Sequence, residues 1–367
     1  MLERGRRCGG SSSSLRNIGV TRRHTITYNA RQRSPWQRND NNKPRNPFVR
    51  PILFSGAVCL GSFGVVAIWN AELEAAAHAQ RQAKERTVWD KVKSIWRLPV
   101  ASQAKISDNS NKMKQEKREF YFPAELGRVV PHQIIYAAED AINGVINNDT
   151  VGPIILTTLL FHGLLSLPGM ELVKVRYFVH DPTSGRALPM LLSTFAHNGL
   201  FHLGVNMFVL WNFGQQVVSL LNHDNRILAQ KEQLWAAYVS AGTLSSLGSI
   251  FTSYLMKNVR GIPMHPGLGA SGAVCAIISS AFLFHPDMMV SIVPLPYIPA
   301  VDALKLLVAF DVAGLVYGYT GLGHGAHLAG CLTGFWVVEM DGLRMIWLYQ
   351  AWVDRTYRAL KKTFLAS

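Results

Sequence analysis

The chain has 367 residues, of which 49% are hydrophobic and only 16% charged, and its formal net charge is +14. Globular domains average about 25% charged residues. This composition, with the apolar residues gathered into long uncharged runs, excludes an ordinary soluble protein and predicts an all-α polytopic membrane protein. The four cysteines form no CxxC pair and no metal-ligand spacing, and the chain has no nucleotide-binding loop, so we expect neither a metal nor a cofactor.

The positive charge is concentrated at the N-terminus. Residues 1–50 contain twelve Lys and Arg residues but only two acids, Glu3 and Asp40. A segment rich in Arg and Ser and poor in acids is typical of a mitochondrial transit peptide. Basic arms also bind nucleic acids, which is the alternative. Because membrane segments follow, we favour the transit peptide and expect no nucleic-acid partner.

The first candidate span runs from Ile52 to Trp69. Its 18 uncharged residues, at about 1.5 Å each, are just long enough to cross about 30 Å of hydrocarbon. We therefore assign residues 51–70 to a transmembrane helix. Residues 71–149 are rich in charged and polar residues and are predicted to form a soluble linker with one or two helices.

Six more helices are predicted within a core of residues 150–345. Apolar runs and the breaks between them place these helices at about 151–169, 200–220, 232–257, 270–285, 303–319 and 325–338. Prolines make residues 286–300 a loop, and residues 346–367 a basic C-terminal tail. The fourth and sixth helices would span only about 21–24 Å. Helices that stop below the membrane surface leave a depression that water can enter.

A serine lies where a glycine-rich turn meets the fourth helix, in the sequence GLGASG of residues 267–272. Gly269 and Gly272 permit a tight backbone, and the free N–H groups of the first helical turn point to the same place. This geometry suits Ser271 as a nucleophile whose attack creates an oxyanion beside it. Ordinary packing is the alternative, because Gly, Ala and Ser are common where membrane helices touch.

A histidine, His327, begins the sixth helix. Ala326, Gly330 and Gly334 recur every four residues, a pattern that lets a neighbouring helix pack closely. A histidine beside such a face can approach another helix and serve as a base. The alternative is a structural histidine bonded to a carbonyl.

His202 and Asn206 lie four residues apart and share one face of the second helix. Both side chains can donate hydrogen bonds, which suits donors to an oxyanion. A structural bond between helices is the alternative. In an antiparallel bundle, helices two, four and six start on the same side, so all four polar residues approach one surface.

Two carboxylates are candidates to orient His327. Glu339 lies about 18 Å further along the same helix, which is too far. Asp311, in the fifth helix, either orients His327 or is a separately paired structural acid, and we favour the structural acid. We therefore predict a dyad of Ser271 and His327.

These motifs, in this order and on these helices, resemble the rhomboid intramembrane serine proteases over about residues 150–345. The leader, the extra span and residues 189–195 resemble the mitochondrial presenilin-associated rhomboid-like subfamily. The resemblance implies a six-helix rhomboid core with one extra N-terminal transmembrane helix (1+6) in the mitochondrial inner membrane.

The resemblance also implies a role for each matching residue. Ser271 would be the nucleophile and His327 the general base, while the oxyanion site would use His202, Asn206 and Gly269 with the Ser271 backbone. Structural residues near the site would be His197, Gly272, Gly330 and Gly334. Many rhomboids have a tyrosine four residues after the serine that stacks on the histidine, and here this position is Cys275.

The implied activity is cleavage of single-span membrane proteins or imported precursors within or next to their transmembrane helices. The expected partners are these substrates, the lipid bilayer and an inner-membrane protease or scaffold complex. A catalytically inactive relative that acts in binding or trafficking is the alternative. A carrier or channel would need more charged residues across its helices. If the leader enters the matrix, counting the crossings opens the active site towards the matrix.

Overall fold

The structure is a computed structural model that describes residues 46–96, 119–123, 130–221, 230–291, 296–318 and 321–366. Residues 1–45 of the predicted transit peptide and residues 97–118 of the predicted linker lie outside the described residues. The longer helices are α1 (Val49–Trp96), α2 (His132–Asn147), α3 (Gly152–Leu165), α6 (Leu200–Leu221), α7 (Gln230–Arg260), α8 (Ser271–Phe284), α9 (Ala300–Tyr317), α10 (His324–Glu339) and α11 (Gly342–Ala366).

Short elements fill two of the connections. The loop after α3 contains α4 (Glu171–Val173), a π-helical turn (Lys174–Phe178), α5 (Leu188–Leu192) and a 3₁₀ turn (Ser193–Phe195). The segment predicted as a loop at 286–300 contains an antiparallel pair, β1 (Met289–Ser291) and β2 (Tyr297–Pro299), with Val290 opposite Ile298. Pro299 ends β2 and directly precedes α9, where a missing N–H costs least.

Helix α8 lies at the centre of the core. It packs against α6, α7, α9 and α10, and ten of its fourteen residues are buried. Small residues such as Gly272 and Ala276 make this central position possible, because they let neighbouring backbones approach closely. The first residue of α8, Ser271, is therefore held by helices on several sides.

Helices α8 and α10 run parallel in close contact. A side chain on Gly330 would collide with the carbonyl of Gly272, and one on Gly334 would lie 2.6 Å from the carbonyl of Ala276. The repeat of small residues predicted to be a packing face is thus the face that α10 presents to α8. This contact sets the register that places the start of α10 beside the start of α8.

The neighbouring helices alternate in direction as predicted. The ring of His202 in the first turn of α6 lies against Gly269, just before α8, and further along both helices the ring of Phe213 meets Phe282 edge-on at 5.0 Å, so α6 and α8 run parallel. Gly248 of α7 faces Ala329 of α10, while Thr252 faces Gly325, so α7 is antiparallel to α10. Helices α6, α8 and α10 consequently start at one end of the bundle.

The helix lengths agree with the prediction of short fourth and sixth core helices. The fourteen residues of α8 and the sixteen of α10 span about 21 and 24 Å, less than the ~30 Å hydrocarbon core. Among the described residues, length and composition identify Val49–Lys84, within α1, as able to cross a membrane. Gly152–Leu165 and Ser271–Phe284 are shorter apolar helices.

Helix α1 is longer than the predicted span. It passes residue 70 without a break and reaches Trp96, because the residues after 70 are mainly strong helix formers such as Ala, Glu, Gln and Lys. At its start, Phe48 stacks on Phe251 of α7 with ring centroids 4.5 Å apart. This part of α7 lies beside the start of α10, so α1 begins at the same end of the bundle as α6, α8 and α10.

The segment predicted as a basic C-terminal tail contains a helix, α11, that packs on α1. The Tyr349 hydroxyl donates to the carbonyl of Leu60 at 2.8 Å. The buried amides of Gln350 and Gln233 bond to each other, the shorter bond being 2.8 Å. These polar contacts fix α11 to α1 and α7 without using any residue of the predicted site.

We expect Gly330→Ala to destabilise the core. The added methyl would overlap the Gly272 carbonyl, and overpacking of this kind costs roughly 1–3 kcal/mol. Thermal unfolding in detergent would show a lower midpoint.

Gly163→Ala is the matched control, because open space surrounds Gly163 in α3 and alanine favours helix by about 1 kcal/mol. Its midpoint should stay the same or rise. Equal midpoints for the two variants would contradict the close contact between α8 and α10.

Candidate active site

The loop before Ser271 is fixed from two sides. Gly267 exchanges backbone hydrogen bonds with His180, both at 2.9 Å, and the Gly269 N–H donates to the Ser193 carbonyl at 3.0 Å. His180 is buried in this loop region, and its burial lowers its pKa to about 4. The backbone bonds of Gly267 and Gly269 anchor the loop that leads into Ser271, the first residue of α8.

Position 269 requires glycine, because of both its backbone conformation and the side chain that packs against it. Its φ of 138° lies in the region that residues with side chains rarely adopt. A side chain here would also come 2.6 Å from Cε1 of His202. The bare backbone at Gly269 thus lets the ring of His202 pack directly against the loop that carries Ser271.

Ser271 and His327 are in hydrogen-bond contact. The Oγ of Ser271 lies 2.9 Å from Nε2 of His327, although the two residues are 56 positions apart in the chain. The His327 side chain is 13% exposed, so water can reach the pair. The structure therefore brings together the two residues that the sequence suggests as nucleophile and base.

Asp311 extends this contact on the other side of the imidazole. It is fully buried on α9, and its Oδ1 lies 2.9 Å from Nδ1 of His327. An ionised carboxylate only accepts hydrogen bonds, so Nδ1 of His327 would donate to it, and in the neutral imidazole the lone pair is then on Nε2. That lone pair faces the Ser271 hydroxyl, as general-base catalysis requires.

Asp311 is buried and paired, as the favoured interpretation of the sequence has it, but it also contacts the dyad, which that interpretation left without an acid. The structure places Asp311 against His327 and also pairs it with His324, whose Nδ1 lies 2.7 Å from the same Oδ1. The sequence analysis does not identify His324. The sequence feature that could have identified it is its position three residues before His327, which puts both histidines on one face of α10.

The residues predicted to form the oxyanion site lie in the same region. His202 is close enough to His327 for an electrostatic interaction. Asn206 is buried one turn along α6, and one of its amide N–H groups donates to the His202 carbonyl at 2.8 Å, which leaves its second N–H. The Ser271 N–H has no acceptor among the described residues.

Gly269 does not fit the predicted role of an oxyanion donor. Its N–H is already bonded to Ser193, so its contribution is the space it leaves for His202. His197 fits the predicted structural role, because its buried Nε2 accepts the Ala270 N–H at 3.3 Å. This bond ties the loop that precedes Ser271 to the start of α6.

Cys275 occupies the position where many rhomboids have a tyrosine. It is buried in α8, where Gly330 of α10 packs against its side chain. It offers no aromatic ring to stack on His327. The contact that the imidazole has on its Nδ1 side is the carboxylate of Asp311, at 2.9 Å.

One group of described residues has the composition of a metal site. Asp311, His324 and His327 each offer a ligand atom, and these atoms lie within 4.8 Å of one another. Ligands of a tetrahedral zinc ion, at about 2.0–2.1 Å from the metal, lie roughly 3.3 Å apart. The observed separations of 2.7 and 2.9 Å from Oδ1 are shorter and match hydrogen bonds.

Comparisons with known proteins agree with this site. A family model described as the Rhomboid domain matches residues 184–343. The mitochondrial presenilin-associated rhomboid-like protein of Homo sapiens is 30% identical over 307 residues, which cover 83% of this chain and 69% of the human protein. The Bos taurus protein of the same name is 29% identical over 87% of this chain and 74% of its own length.

Protein A of the same group in Danio rerio is 38% identical over 58% of this chain and 53% of its own length. This chain therefore belongs to the rhomboid family, in its mitochondrial presenilin-associated rhomboid-like group. It is a mitochondrial membrane protein with the helical fold of rhomboid-type intramembrane proteases.

We expect Asp311→Asn to lower the turnover of a single-span substrate roughly 10- to 1000-fold with little change in KM. A neutral amide stabilises the protonated imidazole poorly, and its NH₂ group can hold His327 in the wrong tautomer. The measurement is steady-state proteolysis by the purified protein in liposomes.

Asp302→Asn makes the same chemical change at the exposed start of α9, where Asp302 pairs with Lys305 at 2.8 Å. Exposed pairs of this kind contribute about 0–1 kcal/mol, so turnover should stay close to wild type. If both variants had the same turnover, Asp311 would not orient His327.

Proposed function

We propose that this protein is a serine endopeptidase of the mitochondrial inner membrane. It cleaves single-span membrane proteins or imported precursors within or next to their transmembrane helices. The observation that carries the proposal is the 2.9 Å contact between Ser271 Oγ and His327 Nε2. Polar side chains inside apolar helices are costly, and their presence together is a mark of function.

In the first step, Ser271 Oγ attacks the substrate carbonyl carbon while its proton moves to Nε2 of His327. The positive charge that develops on the imidazole is stabilised by Asp311 through the 2.9 Å bond at Nδ1. The π bond of the carbonyl opens, and its electron pair becomes the oxyanion of a tetrahedral intermediate. His327 is thus a general base whose proton-accepting atom is already aligned with the nucleophile.

The oxyanion must be stabilised by hydrogen-bond donors that are already in position before the reaction. The Ser271 N–H at the start of α8 has no acceptor among the described residues, and Asn206 has an amide N–H to spare. His202 packs beside them against Gly269 and completes the set. Donors aimed at the developing charge in a site of low dielectric commonly provide the largest part of the rate enhancement.

The second half of the reaction uses the same groups. The protonated His327 gives its proton to the leaving amine as the peptide bond breaks, and an acyl group remains on Ser271. A water molecule then attacks this ester while His327 accepts one of its protons, and a second tetrahedral intermediate forms. The bond to Ser271 Oγ breaks as His327 returns that proton to the serine, and the carboxylic product leaves. Water reaches this depth because α8 and α10 are short and His327 is partly exposed.

The substrate must present an unwound segment. In a helix each carbonyl is bonded to an N–H four residues on, so it is poorly exposed to attack. Residues that weaken the helix near the cleaved bond should therefore favour cleavage. A single-span membrane protein, the class of substrate that the likeness to rhomboid proteases implies, can present such a segment to Ser271.

We also propose the 1+6 arrangement, with α1 as the extra span and α3, α6, α7, α8, α9 and α10 as the core. Residues 1–50 serve as the transit peptide in this proposal. The start of α1 lies at the end of the bundle that holds Ser271, as the contact of Phe48 with Phe251 supports. A leader delivered to the matrix would therefore open the active site on the matrix side.

The decisive test is Ser271→Ala. Without the hydroxyl no acyl-enzyme can form, so proteolysis of a single-span substrate in liposomes should fall to background. Labelling by a fluorophosphonate probe, which reacts with activated serines, should disappear as well.

Ser279→Ala is the matched control on the same helix. Ser279 lies two turns along α8, where it is buried and donates to the Cys331 carbonyl at 2.8 Å. We expect its activity to stay within a few-fold of wild type. Undiminished proteolysis by Ser271→Ala would exclude Ser271 as the nucleophile and with it the proposed mechanism.

His202→Ala tests the oxyanion donors. Loss of one donor typically lowers kcat by roughly 10- to 1000-fold, because the interaction forms in the transition state rather than with bound substrate. KM should change little. His285→Ala, at an exposed histidine just beyond the other end of α8, is the control and should retain normal kcat. A purely structural role for His202 predicts instead lower thermal stability with unchanged kcat in the folded fraction.

A further inference from the structure

Asp311 is held by a histidine that the mechanism above does not use. We propose that His324 is a positioning residue, which fixes the carboxylate of Asp311 so that Asp311 can in turn orient His327. The inference rests on the proposed protease function and deepens it. The juxtaposition that carries it is the bond of 2.7 Å between His324 Nδ1 and Asp311 Oδ1, which shares its acceptor with His327.

A carboxylate rotates about its bond to Cβ unless other groups hold it. Asp311 Oδ2 is buried and has no partner among the described residues, so both hydrogen bonds fall on Oδ1. If the bond to His327 were the sole one, the acid would be oriented by the residue it is meant to orient. His324 provides the independent constraint.

The need for this constraint is increased by burial. Asp311 is 0% exposed and lies in an apolar bundle, where an ionised group requires compensating hydrogen bonds. Two N–H donors on one oxygen provide that compensation, and a charge-assisted bond is roughly twice as strong as a neutral one. Removal of His324 would leave the acid with a single donor.

The ring of His324 is itself held in place by the residues packed around it. It is 3% exposed, and its ring lies so close to Gly314 of α9 that a side chain there would overlap it. Phe310 meets the ring edge-on with centroids 5.5 Å apart. Nε2 of His324 has no hydrogen-bond partner in the part of the chain that the structure describes. The ring is thus immobilised by packing, and its single polar contact is directed at Asp311.

The local sequence explains how one helix supplies both imidazoles. His324 and His327 are three residues apart at the start of α10, so their side chains leave the same face of the helix. Asp311 faces this turn from α9. The alternative is a structural contact in which His324 fastens α9 to α10 and has no effect on the chemistry.

Three substitutions at one position separate these roles. Asn places an amide N–H near the position of Nδ1 in histidine, whereas Gln places it near Nε2, and Leu offers no donor. We expect His324→Leu and His324→Gln to lower kcat by about 10-fold or more with KM unchanged, as is typical when an orienting partner is lost. His324→Asn should recover kcat to within about threefold of wild type.

The measurements are kcat and KM in liposomes, the rate of Ser271 labelling by a fluorophosphonate, and the thermal midpoint of each variant. Labelling should follow kcat, because it reports the reactivity of the serine without a peptide substrate. If Asn restored no more kcat than Gln in proteins of equal thermal midpoint, or if Leu had normal kcat, the positioning role would be excluded.

The two proposals fail in different ways. Residual cleavage by Ser271→Ala would overturn the protease mechanism itself. Normal kcat in all three His324 variants, with an inactive Ser271→Ala, would overturn only the role of His324. Should His324→Leu fail to fold, the comparison of Asn with Gln, which are both polar and hydrogen-bonding, still decides the question.

Discussion

The close contact of α8 with α10 is the constraint on which the site depends. Gly330 lies against the carbonyl of Gly272, a separation that any side chain would prevent. Because the two helices are parallel, this contact also aligns their first turns, and Ser271 meets His327 there at 2.9 Å. A hydrogen bond tolerates little displacement. The register of α8 and α10, which depends on glycine at 330, therefore decides whether Ser271 and His327 can react together.

Around this contact the bundle buries polar groups that a purely structural core would avoid. Asp311 is fully buried with two imidazoles on one oxygen, and its other oxygen has no partner among the described residues. Unpaired polar atoms in such surroundings cost stability. Their presence beside His327 supports the proposed orienting role of Asp311. The buried carboxylate of Asp311 thus costs stability, and its contact with Nδ1 favours one tautomer of His327.

The sequence predicted much of this arrangement for identifiable reasons. Long apolar runs predict helices because a backbone in lipid must satisfy its own hydrogen bonds. The recurring small residues ending at Gly334 predict a close helix contact, and the structure has it with α8. The sequence placed Asp311 on the fifth core helix but did not reveal its contact with His327 or point to His324, because an acid and a histidine on different helices have no spacing that reveals their distance. It also assigned Gly269 a donor N–H that Ser193 already uses.

Composition and local pattern by themselves predicted the helical membrane class, the basic leader and the short fourth and sixth core helices, and they marked Ser271 and His327 as candidate site residues. These depend on hydropathy, charge and the periodicity of a helix, which are properties of neighbouring residues. The tertiary structure alone decided which nitrogen of His327 faces the serine, which acid holds it and which backbone donors are free. Those features depend on helix rotation and register, which are fixed only when side chains distant in the chain pack together.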